Sequence, residues 1–253
     1  MKSFRFHPIR RLREKKQFFK RGIRFVPFLF TLGNAFFGFC SIALAIEGER
    51  IAAIYCVFLA AMMDALDGRI ARLMRVESEL GVEMDSLCDA ISFCLAPAFL
   101  AYAWSLRTLG FVGVMVGALF LIAGIVRLAR FNLLHDQQSV FFIGLPTTIA
   151  GCFIVIVLLN ANGLVYRPWF SFFLSFLLLL FSWLMISSIR FPAFKRGSLR
   201  VKKHYPVVGA VVLFAILTVM RLELSLLFLF SGYLLVSFGY QGYNFYKKNI
   251  ERG

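Results

Sequence analysis

The chain has 253 residues, of which 60% are apolar and 16% charged, and its formal net charge is +15. A mean hydropathy of +0.79 excludes an ordinary soluble globular protein, which needs a more polar surface. Apolar runs of about 20 residues are long enough to cross a hydrocarbon core of about 30 Å. The sequence therefore predicts an all-α polytopic membrane bundle of about eight transmembrane helices.

The first segment, residues 1–25, carries ten Lys and Arg but lacks the apolar core and cleavage site of a signal peptide. Its apolar residues recur at near-helical spacing, so it could lie in the membrane interface. The alternative is a solvated basic anchor beside the first span. A membrane domain is predicted over 26–242, followed by a basic cytoplasmic tail over 243–253.

Eight spans are predicted in chain order: 26–46, 50–74, 81–106, 109–132, 142–162, 167–188, 205–220 and 223–242. Both termini then lie on one side of the membrane. Of the 28 Lys and Arg, four fall on the opposite side: Arg50, Arg107, Arg167 and Arg221. Loops rich in Lys and Arg stay in the cytoplasm, so we predict a cell-membrane protein with both termini cytoplasmic. The positive charge also attracts anionic lipid headgroups, and no nucleic-acid partner is predicted.

In the first span, Thr31 and Asn34 lie three residues apart. We predict that they make polar contacts to a bound ligand. Helix–helix hydrogen bonding is the alternative for two polar residues within a span.

Four of the five aspartates lie at the facing ends of the second and third spans. Asp64 and Asp67 are three residues apart, and Asp85 and Asp89 are four apart, so each pair lies on one helix face. The short connection brings the two helix ends together in antiparallel orientation. Carboxylates in membrane spans are costly and by default mark a functional cavity. We therefore expect all four carboxylates to converge at one level.

Four converging carboxylates repel one another unless a cation lies among them. Oxygen ligands suit Mg²⁺, Mn²⁺ or Ca²⁺, and the lack of a His or Cys cluster argues against zinc. Such ions could bind a pyrophosphate, while a carboxylate not used by them acts as general base on an alcohol. Gly68, Ala71 and Gly81 leave room for a bulky ligand, and Arg72 could contact phosphate or a carboxylate. The alternative is a set of Asp–Arg ion pairs at helix ends.

Near the cytoplasmic end of the fourth span, Arg127 and Arg130 lie three residues apart on one face. An arginine pair is a natural bidentate partner for a carboxylate. The alternative is that both are flanking residues of the positive-inside pattern. Arg127 lies about one turn deeper than a flanking residue needs to, which favours a role facing the cavity.

Residues 64–89 read Asp-x2-Asp-Gly-x2-Ala-Arg-x8-Gly-x3-Asp-x3-Asp. The chain thereby resembles the CDP-alcohol phosphatidyltransferase family at every position and spacing of the family motif. That resemblance implies a protein whose membrane-embedded helices surround a polar cavity open to the cytoplasm, and which forms a homodimer. It also implies a two-metal site for Mg²⁺ or Mn²⁺, with Ca²⁺ able to replace one ion.

The resemblance further implies roles for the motif residues. The main metal ligands would be Asp64, Asp67 and Asp85. Asp89 would both contact a metal ion and act as the catalytic general base. The CDP-lipid pocket would be lined by Gly68, Ala71, Arg72 and Gly81, with Thr31 and Asn34 as polar contacts to nucleotide or phosphate.

Within the family, residues 30–39, 89–98, 127–132 and 144–146 resemble the membrane-embedded phosphatidylserine synthases. This implies CDP-diacylglycerol and L-serine as substrates, and Arg127 and Arg130 as ligands of the serine carboxylate. Three positions depart from the residues common in relatives: Cys94 stands where glycine is usual, Phe28 where Asn or Ser is common, and Thr148 where proline is common. Glycerol 3-phosphate, an inositol compound or choline is the alternative acceptor. An ion-coupled transporter is the other class considered, but a single acidic cluster near one membrane face disfavours it.

Overall fold

The computed structural model describes the backbone of residues 8–74, 78–133, 141–187 and 190–192, and their side chains except at 8–26, 141–143, 162 and 190–192. The helices over this part of the chain are α1 (Pro8–Glu47), α2 (Arg50–Met74), α3 (Glu79–Asp89), α4 (Ala96–Trp104), α5 (Phe111–Leu133), α6 (Thr147–Asn160) and α7 (Pro168–Ile186). A π-helical segment, Ala90–Leu95, joins α3 to α4. The short strands β1 (Phe141–Ile143) and β2 (Arg190–Pro192) form an antiparallel pair.

Helices α1 and α2 form a tight antiparallel hairpin. The reversal occurs at Gly48, whose φ of 86° is a left-handed conformation that glycine adopts without steric cost. The Gly48 N–H donates to the Ala45 carbonyl at 3.3 Å, and the Glu49 N–H donates to the Leu44 carbonyl at 2.9 Å. Since α2 begins at Arg50, it must return along α1, and the two helices pack against each other extensively.

The third crossing is a composite of α3, the π segment and α4, continuous over Glu79–Trp104. Ser78 caps its start, where the Ser78 hydroxyl oxygen accepts a hydrogen bond from the Gly81 N–H at 3.1 Å. Gly110, with a φ of 59°, lies in the turn that leads into α5. This composite crossing carries two of the aspartates in α3 and buried core residues in the π segment and α4.

Helix α6 lies at the centre of the described bundle. Eleven of its fourteen residues are buried. It packs against α2, the π segment, α4 and α7. Because protein surrounds α6 on most sides, little of it remains to face lipid.

The predicted fifth span, 142–162, is wrong at its N-terminal end, because α6 begins at Thr147. Residues 141–143 pair with 190–192 instead, with Phe142 opposite Phe191. Gly144 follows with a φ of 81°, and Pro146 disfavours helical geometry at the residue before it. A helix of this length covers only about 21 Å, less than the bilayer core.

The other described spans confirm the expected helical membrane architecture. Among the described residues, five stretches are long and apolar enough to cross a membrane: Pro27–Glu47, Arg50–Met74, Glu79–Trp104, Phe111–Leu133 and Pro168–Ile186. They match the first four predicted spans and the sixth to within a few residues. Helix α1 begins at Pro8, so it continues through most of the predicted basic segment. The spans at 205–220 and 223–242 and the tail lie outside the described residues, and the count of eight stays a prediction.

Candidate active site

Three carboxylates meet where α2 and α3 come together. Asp64 and Asp67 extend from the last turns of α2, and Asp85 extends from α3. One oxygen atom of each lies within 4.8 Å of the others. Asp67 is 5% exposed, and the other two are partly buried. The three-residue spacing within α2 places Asp64 and Asp67 on one helix face, and Asp85 of α3 completes the cluster.

The cluster has the donor chemistry expected of a site for a hard divalent cation. Asp67 Oδ2 and Asp85 Oδ1 are buried and accept no hydrogen bond from the part of the chain that the structure describes. Buried carboxylate oxygens without a partner are unfavourable, because they have lost water and gained nothing in exchange. A divalent ion among three oxygen donors would satisfy these atoms and remove their mutual repulsion. The residues therefore fit the predicted metal.

Asp89 has different surroundings from the other three aspartates. It is 9% exposed and is not a member of the three-carboxylate group among the described residues. The side-chain amide of Asn34 donates to Asp89 Oδ1 at 3.0 Å, across from α1. Asp89 is also the last residue of α3, so the π segment begins directly after it.

Thr31 and Asn34 both lie on the buried face of α1. The Thr31 hydroxyl donates to the Pro27 carbonyl at 3.2 Å and lies beside the Asp67 carboxylate. Asn34 is fully buried, and its side-chain amide donates to Asp89. Both residues thus border the carboxylates, and their predicted contact with a CDP-lipid stays a prediction.

The four residues predicted to line the CDP-lipid pocket lie on α2 and α3 beside the carboxylates. The Arg72 guanidinium extends back over Gly68, where a Cβ would lie 3.6 Å from Arg72 Nη1. Gly81 lies in the first turn of α3, and its N–H is held by the Ser78 cap. Ala71 is partly buried. Their proposed role in binding nucleotide stays a prediction.

Arg127 and Arg130 have separate environments although they share a helix face. Arg127 lies close enough to Asp89 for an electrostatic interaction, and its Nη1 donates to the Thr147 hydroxyl at 3.2 Å. Its guanidinium also stacks over the Phe131 ring at 5.5 Å. Arg130 donates to the Ile186 carbonyl, at the end of α7, at 3.0 Å. Arg127 therefore lies beside Asp89, whereas Arg130 contacts the C-terminal end of α7.

Sequence reasoning missed a polar link between α3 and α5. The Ser86 hydroxyl donates to Asn132 Oδ1 at 3.0 Å, and the Asn132 amide donates to Glu83 Oε2 at 3.2 Å. This link joins the helix of Asp85 to the helix of Arg127. Asn132 stands in a segment that carried the family resemblance, which was the available signal. The spacing of Ser86 and Glu83 within α3 could not show what they face on α5.

The chain matches the CDP-alcohol phosphatidyltransferase family over residues 24–191. It is 37% identical to a CDP-diacylglycerol–serine O-phosphatidyltransferase of Helicobacter pylori over 213 residues, 83% of this chain and 87% of that protein. An enzyme of the same name from Bacillus subtilis is 32% identical over 174 residues, 69% of this chain and 93% of that protein. An archaetidylserine synthase of Methanothermobacter thermautotrophicus is 38% identical over 171 residues, 66% of this chain and 69% of that protein.

Proposed function

The chain belongs to the CDP-alcohol phosphatidyltransferase family, and we propose that it transfers the phosphatidyl group of CDP-diacylglycerol to the hydroxyl of L-serine, giving phosphatidylserine and CMP. The observation that carries this proposal is the meeting of three aspartate carboxylates beside a fourth, Asp89, which has Arg127 next to it. The names of the similar proteins from Helicobacter and Bacillus support serine as the acceptor.

The metal ligands in this proposal are Asp64, Asp67 and Asp85, with Mg²⁺ or Mn²⁺ as the ion. A second ion would have Asp89 among its ligands. Ca²⁺ could replace one of the two ions. When bound, such ions neutralise negative charge on a pyrophosphate and on the oxygen that leaves. The unpartnered oxygens of Asp67 and Asp85 support this assignment.

Asp89 is the general base of the proposed reaction. It accepts the proton of the serine hydroxyl while the serine oxygen forms a bond to the phosphorus that carries diacylglycerol. The bond from that phosphorus to the CMP oxygen breaks, and CMP leaves with the electron pair. Asn34 orients the Asp89 carboxylate through its hydrogen bond to Oδ1. The second oxygen of Asp89 is then the one that faces serine.

Serine is selected by its carboxylate, for which Arg127 and Arg130 are the proposed ligands. Arg127 is the better placed of the two, because it lies next to the proposed base. A carboxylate held there would bring the serine hydroxyl close to Asp89. Thr31, Asn34, Gly68, Ala71, Arg72 and Gly81 are the proposed contacts of the CDP-lipid.

The proposed setting is the cell membrane, with the site open to the cytoplasm and both termini on that side. CDP-diacylglycerol then keeps its acyl chains in the bilayer while serine arrives from the cytosol and CMP returns to it. A homodimer is part of the proposal through the family resemblance.

Purified protein in detergent, supplied with CDP-diacylglycerol and a panel of alcohols, tests this function. The panel contains serine, glycerol 3-phosphate, inositol, inositol phosphate and choline, with CMP release and the lipid product as readouts. We expect serine-dependent CMP release and phosphatidylserine. Release with a different alcohol would replace serine as acceptor but keep the chemistry. Absence of CMP release with every alcohol would contradict the proposed reaction.

A further inference from the structure

We propose that three glycines from three different helices, Gly38, Gly124 and Gly151, grip the π segment and thereby position Asp89 for proton transfer. We call this set the glycine collar. The inference deepens the proposed function, because it rests on Asp89 as the general base. The collar residues are positioning residues, since none of them belongs to the carboxylate cluster.

The π segment is an interruption in an otherwise α-helical crossing. Its characteristic hydrogen bond runs from the Ala96 N–H to the Ile91 carbonyl, five residues back rather than four. A π turn is therefore wider than an α turn, and such turns occur within α-helices mostly at functional sites. Here the segment follows Asp89 without a gap, so its geometry determines how the end of α3 meets the core.

The collar provides the space that the wider turn needs. A Cβ on Gly38 would overlap Ser92, a Cβ on Gly124 would overlap the Cys94 side chain, and a Cβ on Gly151 would overlap the Phe93 backbone. These contacts come from α1, α5 and α6 and involve three consecutive residues of the π segment. Ser92, Phe93 and Cys94 are all fully buried. Three helices therefore hold the segment closely: at Gly38 and Gly151 a Cβ would meet backbone atoms of the segment, and at Gly124 it would meet the Cys94 side chain.

The π segment is also linked to Asp89 through hydrogen bonds. The Ser92 hydroxyl donates to the Asn34 carbonyl at 2.9 Å, and the Asn34 side chain donates to Asp89 at 3.0 Å. Asn34 lies one helical turn before Gly38 on α1. A shift of the π segment would move Ser92 away from Asn34 and would rotate Asp89 at the same time. Asp64 and Asp67, on α2, would keep their places.

Alanine at each collar position tests the inference in the full-length purified enzyme. A misplacement of about 1 Å at a catalytic group can cost about 10²-fold in rate. We therefore expect Gly38→Ala, Gly124→Ala and Gly151→Ala to lower kcat by about that factor, with little change in the KM for CDP-diacylglycerol. Mn²⁺ binding, measured by electron paramagnetic resonance of the ion alone, should persist because Asp64 and Asp67 lie on α2 and Asp85 lies one turn before Asp89, further from the π segment.

Gly117 offers a matched control on the same helix as Gly124. A Cβ there would meet only the Ala98 carbonyl oxygen, at an ordinary 3.8 Å. Gly117→Ala should therefore keep the wild-type kcat. A merely structural role of the collar would instead reduce the yield of folded protein and leave kcat per folded enzyme unchanged, which would overturn the proposal.

A compensating substitution sharpens the test. The nearest atoms to a Cβ at position 124 are the Cys94 Sγ and Cβ, and Cys94→Gly removes both. The double variant Gly124→Ala/Cys94→Gly should regain the kcat of Cys94→Gly alone. Cys94→Gly should not rescue Gly151→Ala, because a Cβ at position 151 would meet backbone atoms of Phe93. Failure of the rescue at position 124, or loss of Mn²⁺ binding in parallel with kcat, would refute the collar. Absence of serine-dependent CMP release in the wild-type enzyme would refute the proposed function instead.

Discussion

At the scale of single residues, the four aspartates of α2 and α3 divide into two groups by their partners. Asp64, Asp67 and Asp85 share a cluster in which one oxygen each of Asp67 and Asp85 is buried and accepts no hydrogen bond from the described residues. Asp89 already accepts a hydrogen bond from Asn34. A bound cation would relieve the repulsion within the first group, whereas Asp89, oriented by the Asn34 amide, is the carboxylate that we propose as the general base. The two groups should therefore respond differently to the same substitution.

Asparagine at each aspartate measures that difference. Asp64→Asn, Asp67→Asn and Asp85→Asn should lose both Mn²⁺ binding and metal-dependent CDP-lipid binding, because each removes a charged ligand. Asp89→Asn keeps an oxygen that can accept from Asn34, so CDP-lipid binding should largely persist. Its kcat should fall by about 10²–10⁴-fold, the usual contribution of a general base. Full activity of Asp89→Asn would remove this residue from the mechanism.

Removal of the metal from the wild-type enzyme is a complementary prediction. A chelator should abolish CMP release, since crowded carboxylates repel a pyrophosphate when no cation lies among them. Addition of Mg²⁺ or Mn²⁺ should restore the activity. Titration with each ion, followed by CMP release, makes the measurement. Activity that survives thorough chelation would contradict the assignment of the three aspartates as ligands.

The two arginines of α5 should also differ from each other. Arg127→Ala should raise the KM for serine, with kcat/KM lower by about tenfold to hundredfold, because a charge-assisted hydrogen bond contributes about 1.5–3 kcal/mol. Arg130→Ala should have the smaller effect, since the Arg130 guanidinium already contacts the Ile186 carbonyl. Lysine at 127 should rescue only partly, because an ammonium lacks the planar fork.

Ethanolamine, which is serine without its carboxylate, provides the control for the arginine variants. It should be a poor acceptor for the wild-type enzyme and should lose little further in Arg127→Ala. The opposite pattern, lost CDP-lipid binding with an unchanged KM for serine, would place the arginines on the phosphates. The serine carboxylate would then bind elsewhere.

At the scale of elements, Arg50 joins three helices at the end of the bundle away from the aspartates. Its guanidinium donates to the Leu158 carbonyl near the end of α6 and stacks over Trp104, at the end of α4, at 5.4 Å. A cation is favourable at this place because the last carbonyls of a helix are partly negative. The start of α2 is thereby held against the ends of α4 and α6.

Substitution of Arg50 should therefore affect stability rather than chemistry. Arg50→Met should lower the free energy of unfolding by about 1.5–3 kcal/mol, the usual contribution of a hydrogen bond to a charged group. Thermal unfolding in detergent would detect the loss as a lower midpoint. Arg107 is exposed in the turn before α5, so Arg107→Met is the matched control and should leave the midpoint unchanged. Equal effects of the two variants would show that net charge, not this contact, is responsible.

At the scale of the whole molecule, the orientation in the membrane is the property that the proposed chemistry depends on. Of 28 Lys and Arg, all but four are predicted to lie on the side of both termini. We expect tags at residues 1 and 253 and cysteine labels at 75 and 195 to report the cytoplasm. A label at Asn162 should report the opposite side. Labelling of residue 75 from outside would show that the orientation is reversed and that the aspartates face away from cytosolic serine.

The amino-acid sequence alone predicted the membrane class, the five long spans that the structure describes among the eight expected, and the meeting of Asp64, Asp67 and Asp85. These properties depend on local quantities: the length of apolar runs, and spacings of three and four residues that bring side chains to one helix face. The CDP-alcohol motif also lies within one short stretch, which made the family recognisable from residues 64–89 alone.

Only the packing of the helices shows the partner of Asp89, the separate environments of Arg127 and Arg130, the late start of α6 and the glycine collar. Asn34 and Asp89 are 55 positions apart in the chain, and no local pattern indicates such a contact. The collar brings residues of α1, α5 and α6 to one π segment. Sequence spacing shows which face of a helix a residue occupies, but the packing of separate helices determines what that face meets.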